Sequence, residues 1–262
     1  LSTASVGYLV AYLTNNALMG FLAAAAVGAL FGLLFIWLHE TFKINQFILG
    51  ICLILFGMGF STLIYKIVIG VVLSPPSIPK LKDITIPLIS KIPILSAFLT
   101  QDFVIYFAYI SLIAAYWFYY KTKIGLETRA ICESPKAADV VGINVVLRRY
   151  ISTIVGAALV GVAGAYLTIG ITGTFVPLIT AGRGYMGVGL AIFCSWRPQR
   201  AILGGLLFAL IEVSSYQLRL ITDILPYQFF NALPFFLVLV VMVLFRKQVE
   251  FPASIGKEYS RE

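Results

Sequence analysis

The sequence predicts an all-α, polytopic helical membrane protein of about seven to eight membrane segments. Three observations carry that expectation. The 262 residues are 60% hydrophobic and only 11% charged, with a mean hydropathy of +0.98. A water-soluble domain of this size has no use for so much apolar side chain. The apolar residues fall in continuous runs, several near the roughly 20 residues that cross a bilayer as helix, not in the alternation of a membrane barrel. The basic residues gather at the ends of those runs, as topology signals do.

The chain opens at Leu1 with no basic region before it, so no signal peptide is read. The apolar stretch from Val6 to Leu13 is too short to span, and it reads as the tail of a helix that begins further upstream. Ala17 to Leu38 is the first full span. Its Gly20, Ala24, Gly28 and Gly32 recur every four residues, a face on which helix backbones approach closely. After a polar turn from His39 to Lys43, Asn45 and Gln46 open a span that runs to about Tyr65. Gly57 and Gly59 are expected to loosen or kink it. Ser74 to Asp102 is a linker in which Pro75, Pro76, Pro79, Pro87 and Pro93 forbid a continuous helix. A short interfacial helix is expected over Ile94 to Leu99.

Phe103 to Tyr120 spans next and ends in an aromatic belt of Tyr116, Trp117, Tyr119 and Tyr120. A polar loop, 121–149, follows. Tyr150 to Ile169 spans again, with Gly156, Gly161 and Gly164 as a packing face. Gly170 to Tyr185 is rich in Gly and Thr and only weakly polar. It reads as a re-entrant or broken segment, tolerated at membrane depth where it is buried in protein or lines water. A short helix from Met186 to Trp196, spans over Ala201 to Leu218 and Phe229 to Phe245, and an outer turn over Asp223 to Tyr227 complete one membrane domain, 1–249. A charged tail, 250–262, closes the chain.

Within the polar loop lies a compact helix specification. Ser134 suits an N-cap, Pro135 the first helical position, and Gly142 a left-handed end. About two turns of helix are too short to stand alone in water, so they need a partner surface. Ala137, Ala138 and Val141 form the expected apolar face, with Glu133, Lys136 and Asp139 at its rim.

The stretch RAICESPKAADVVGI resembles the cytoplasmic loop of ABC importer permeases of the branched-chain amino acid, ribose and simple-sugar group, nearest to the nucleoside and simple-sugar branch. That loop reads R-A-V-G-E-N-P-x-A-A-D-x-x-G-I. Arg129, Ala130, Glu133, Pro135, Ala137, Ala138, Asp139, Gly142 and Ile143 match it. Cys132 stands in place of Gly, and Ser134 in place of Asn with the capping chemistry kept. The N-Q-x-x-x-G-x-x-L of the group is similar to Asn45, Gln46, Gly50 and Leu53. Its T-A-G-R-G-Y is similar to Thr180 to Tyr185, and its I-F-G-x-W-x-P to Ile192 to Pro198, with Cys194 for Gly. The resemblance runs from about Ala17 to Phe245.

It implies a translocation subunit whose loop docks on a separate ATP-hydrolysing subunit through Arg129, Glu133, Pro135, Ala137, Ala138, Asp139, Val141 and Gly142. It also implies a second permease subunit, homologous or identical, an extracytoplasmic substrate-binding protein, and nucleosides or simple sugars as cargo. A substrate pathway is expected along Asn45, Gln46, Gly50, Phe175, Arg183 and Glu212. Glu212 is the acid deepest in a span and is similar in setting to the group's F-G-x-x-E. It reads either as an acceptor for substrate hydroxyls or as an interfacial anchor paired with Arg219 or another base. Arg183 reads equally as a lining charge or an outer anchor.

The exclusions are specific. No G-x-x-x-x-G-K-[ST] phosphate loop is present, so ATP is expected on a partner. One histidine, His39, and three scattered cysteines leave no metal cluster and no disulfide framework. No cofactor is expected. A net charge of +8 placed at span ends points to the bilayer, not to nucleic acid. With the polar loop inside, thirteen of the nineteen basic residues fall on the inner side and six on the outer, which predicts a cytoplasmic loop and tail. Two other readings remain: a secondary, ion-coupled carrier, which needs no docking helix, and an integral membrane enzyme.

Overall fold

The computed structural model describes residues 1–70, 75–78, 81, 100–221, 227–244, 252–254 and 256. Most of the Pro-rich linker lies outside them. So do the interfacial helix expected at 94–99, all but Tyr227 of the turn expected over Asp223 to Tyr227, and the side chain of Arg219.

Ten helices follow one another among the described residues. They are α1 (Ser2–Thr14), α2 (Ala17–Phe42), α3 (Gln46–Ile69), α4 (Phe103–Lys121), α5 (Lys123–Glu133), α6 (Pro135–Val140), α7 (Val145–Tyr166), α8 (Arg183–Phe193), α9 (Pro198–Ile221) and α10 (Tyr227–Leu244). The all-α expectation holds. α2, α3, α4, the α7 helix with its continuation to Thr172, and α9 are long and apolar enough to cross a membrane. The protein is a multi-pass membrane protein.

The helix ends follow from local chemistry. Asn16, Asn45 and Asn144 each turn a side-chain oxygen onto an early backbone N–H of α2, α3 and α7, and Asp102 caps α4 through Val104 and Ile105. Asp102 also accepts from the Tyr166 hydroxyl at 2.9 Å, tying α4 to α7.

The glycine ladder of α2 packs where its spacing predicts. A Cβ on Gly28 would sit 2.4 Å from the Ala157 carbonyl oxygen, and one on Gly161 would sit 2.4 Å from that of Ala24. Gly32 meets the Ala157 methyl and Gly20 the Gly7 carbonyl, so α2 runs antiparallel to α7 at backbone contact. Gly164 meets Thr3 of α1, whereas Gly156 faces open space.

The segment read as the tail of a span lies in α1, a helix wedged between α2, α3 and α7, with Ala4, Ser5, Tyr8 and Ala11 wholly buried. Its polar groups are matched, as membrane depth requires: Ser2 donates to the Gly57 carbonyl at 3.0 Å, and Thr168 to that of Ala4 at 3.2 Å. α3 runs as one continuous helix through Gly57 and Gly59. α7 widens into a π-helical turn over Leu167–Thr172 before Gly173.

The segment after that turn is not a plain loop. Leu178, Ala181 and Gly182 hold left-handed backbone, and α8 then forms a short helix that folds back on α9. A Cβ on Gly204 of α9 would lie 2.8 Å from Cys194 Sγ and from Leu190 Cδ1, so this hairpin is tight.

Candidate functional site

Two groups of predicted residues come together, at different levels of the molecule. The first is the polar end. α5 begins at a Thr122 cap and α6 at Ser134, whose hydroxyl accepts from Ala137 N–H at 3.4 Å. Pro135 occupies the first helical turn, and Gly142 holds φ +88°, as the sequence requires. α6 ends at Val140, one residue before the expected Val141.

Its apolar face is divided in a way the sequence does not reveal. Ala138 is turned inward and packs with Ile131, Val145 and Ile143. It cannot meet a partner, and the expected docking face is corrected accordingly. The outward surface is Ala137, Val140 and Val141, the last two 88% and 79% exposed. Arg129 lies over the Tyr120 ring, 4.7 Å from its centre, and Glu133 is exposed at the end of α5. Asp139 lends its backbone carbonyl to Gly142 N–H at 2.9 Å.

Ion pairs bind this end to the membrane helices. Arg148 pairs with Glu127 of α5. Arg149 pairs with Glu40 of α2 at 2.9 Å, and Lys43 approaches the same carboxylate at 3.3 Å. A carboxylate in the last turn of a helix faces the negative end of that helix, so Glu40 needs these cations. Its side chain is nearly buried. Arg149→Ala is expected to destabilise the protein by about 1.5–3 kcal/mol, the worth of a hydrogen bond to a charged group, because Lys43 still stands beside the Glu40 carboxylate. In a double-mutant cycle with Glu40→Ala, thermal unfolding in detergent should show a coupling of at least about 1 kcal/mol; additive losses would contradict it.

Asn45, Gln46 and Gly50 lie at this polar end too, because Asn45 caps α3 directly after the turn that carries Glu40 and Lys43. His39 Nδ1 is 2.8 Å from the Ile44 carbonyl oxygen across that turn. Asn45 spends its side-chain oxygen on Phe47 N–H at 2.9 Å. These three residues therefore sit at one mouth of the bundle.

The second group lies deeper. Arg183, at the start of α8, reaches Glu212 of α9 at 3.0 Å. The base expected opposite Glu212 is thus Arg183, 29 residues before it. Nine residues of helix separate Glu212 from Ile221, which puts the pair about 13 Å inside that end of α9. Both side chains are a little over one-third exposed in the single chain. A charge pair at such depth cannot face lipid cheaply, so its open side belongs to water, a solute or another subunit.

Phe175 does not join this pair. It is wholly buried, with its ring 4.9 Å from Tyr65 and 6.3 Å from Tyr8, and the Tyr8 hydroxyl donates to the Pro76 carbonyl. It closes an aromatic plug between α1, α3 and the segment after α7. Glu40, Arg149 and Tyr8 went unmarked in the sequence; only pairing across more than 60 positions brings them out.

A bundle of apolar helices with a structured polar loop at one end and a charge pair inside defines a multi-pass membrane protein. The chain belongs to the family described as branched-chain amino acid transport system / permease component, whose model matches residues 1–245. It is 32% identical over 81% of its length to a protein of Haloferax volcanii assigned as a glucose ABC transporter permease, covering 64% of that protein. It is 34% identical over 66% of its length to the nucleoside ABC transporter permease protein NupC of Lactococcus lactis, covering 56% of it. With the guanosine ABC transporter permease protein NupQ of Bacillus subtilis it shares 28% identity, over 92% of this chain and 77% of that one. The chain thus spans about three-fifths of the length of the first two relatives. No solved structure matches it at a comparable level.

Proposed function

We propose that this chain is the membrane-spanning permease subunit of an ATP-driven ABC importer that carries nucleosides or simple sugars across the cytoplasmic membrane. The observation that carries the reading is α6: a capped helix of six residues held on the chain's own body by Ala138, presenting Val140 and Val141 outward. Two exposed valines on a rigid, polar-flanked turn serve no purpose in water and suit an apolar groove on a partner. The absence of a phosphate loop assigns ATP hydrolysis to that partner.

In this reading two ATPase subunits dock at the polar end, which is cytoplasmic by the thirteen-to-six distribution of basic residues. A second permease subunit completes the translocation path, and an extracytoplasmic binding protein delivers the solute at the opposite end. The membrane segments number eight when α1, α8 and α10 join the five long spans. Cargo with several hydroxyls suits the Arg183–Glu212 pair, whose carboxylate accepts and whose guanidinium donates.

Val141→Asp tests the docking face. The residue touches nothing the fold depends on, so the protein should insert normally. Uptake and copurification of the ATPase should fall roughly tenfold or more, as for a charge placed at the centre of an interface. Unchanged copurification would remove α6 as the docking element and favour the carrier that needs no ATPase.

A further inference from the structure

A helix leaves its last carbonyl groups without partners. α5 ends at Glu133 with no basic residue in its last turn. The Ala130 carbonyl accepts from Ser134 N–H at 2.9 Å, but the next two are satisfied from far along the chain. The Ser254 hydroxyl donates to the Cys132 carbonyl at 2.5 Å, with the Ile131 carbonyl at 3.3 Å sharing it, and Ser254 N–H donates to Cys132 at 3.1 Å. Two residues on, Gly256 lies against Gln46 and Phe47: a Cβ there would be 3.4 Å from Gln46 Nε2 and 3.3 Å from Phe47 Cε2. Ser254 and Gly256 therefore lie across the end of α5 and the start of α3, and Ser254 caps α5 from 122 residues away.

We infer that Ser254 is a positioning residue for the polar loop, and that the tail is the clasp through which the end of the chain and α3 hold α5 and α6 in register. Ile131, whose carbonyl Ser254 reaches, is also the side chain that packs on Ala138 of α6. A shift at this cap therefore passes directly to the surface that carries Val140 and Val141. With the clasp open, α6 still forms and still binds, because its own cap and core are intact; what is lost is the rigid path by which movement of a docked partner reaches the membrane helices. The functional half of this inference rests on the docking reading above, and the placement of the tail does not.

The native Cys132 is a free, exposed thiol beside the clasp, so one substitution tests the placement. In full-length protein carrying Ser254→Cys, a short bis-maleimide should join Cys132 to the introduced thiol within one chain, mapped by peptide mass spectrometry, and Cys132→Ser should abolish the product. Absence of that crosslink in folded protein would overturn the inference.

For function, Ser254→Ala is assayed in the reconstituted complex for solute taken up per ATP hydrolysed. The ratio should fall by about three- to tenfold, the weight of one hydrogen bond, while copurified ATPase stays at the wild-type level. Ser254→Thr, which keeps the hydroxyl, should restore the ratio. A wild-type ratio in Ser254→Ala would overturn the positioning role. Failure of any ATPase to copurify with the unaltered chain would instead strike the docking reading, leaving the crosslink to decide the clasp.

Discussion

Gly161→Val is expected to abolish the folded protein. The first atom of the new side chain would lie 2.4 Å from the Ala24 carbonyl oxygen and 3.2 Å from Gly28 Cα, both backbone atoms that cannot rotate away. Overpacking a core commonly costs about 1–3 kcal/mol even where side chains can adjust. Here two helix axes must separate, and the seam continues through Gly20, Gly28 and Gly32, so the loss should exceed that range. Gly156→Ala, five residues earlier on the same helix, meets nothing within 4 Å. It should be neutral or gain up to about 1 kcal/mol of helix propensity. Monodisperse yield after detergent extraction, followed by thermal unfolding, separates the two. Equal behaviour of the variants would mean that α2 and α7 do not touch along this seam.

The same pair of glycines shows how far the sequence can be read. The four-residue spacing on α2 places its small residues on one face, and they pack there. On α7, Gly161 and Gly164 share a face, but five residues at about 100° each turn Gly156 well away from Gly161. The expected packing face of Gly156, Gly161 and Gly164 is thus corrected: Gly156 lies off it. The cap, proline and glycine of α6 were legible because each acts on its own backbone. The direction of Ala138 was not, since periodicity tells which residues share a face and is silent on whether that face meets the chain's own body or a partner. α3 stays continuous through Gly57 and Gly59 because in lipid a broken helix leaves backbone groups unsatisfied, a heavier cost than that of a glycine.

Depth was only partly legible. Asn45 and Gln46 follow a charged turn and so belong to an end of the bundle, which the sequence already implied. Phe175 lies in a weakly polar stretch, yet it is buried by Tyr8 and Tyr65, partners more than a hundred residues before it. The tail was read as a charged ending, and nothing local in its sequence marks Ser254 as the cap of another helix.

Arg183→Ala is the companion case at the Arg183–Glu212 pair. Without the guanidinium, the Glu212 carboxylate remains on α9 well inside the membrane span with its 3.0 Å partner gone. A lone acid at a helix centre costs about 2.5–3.5 kcal/mol, so Glu212 should pull water and lipid headgroups inward. The hairpin of α8 on α9 then loosens and uptake at limiting substrate should fall at least tenfold, equivalent to about 1.4 kcal/mol. Arg183→Lys keeps the charge but loses the planar fork, and should retain part of the activity.

The combination of Arg183→Ala with Glu212→Ala then separates two roles. If the pair only fastens α8 to α9, removing both charges relieves the unpaired acid, and uptake should recover above either single variant. If the carboxylate accepts from substrate hydroxyls, the combination should be as inactive as Glu212→Ala while its thermal stability returns. The proposed function predicts the second outcome, since more than a third of each side chain stays open in the single chain.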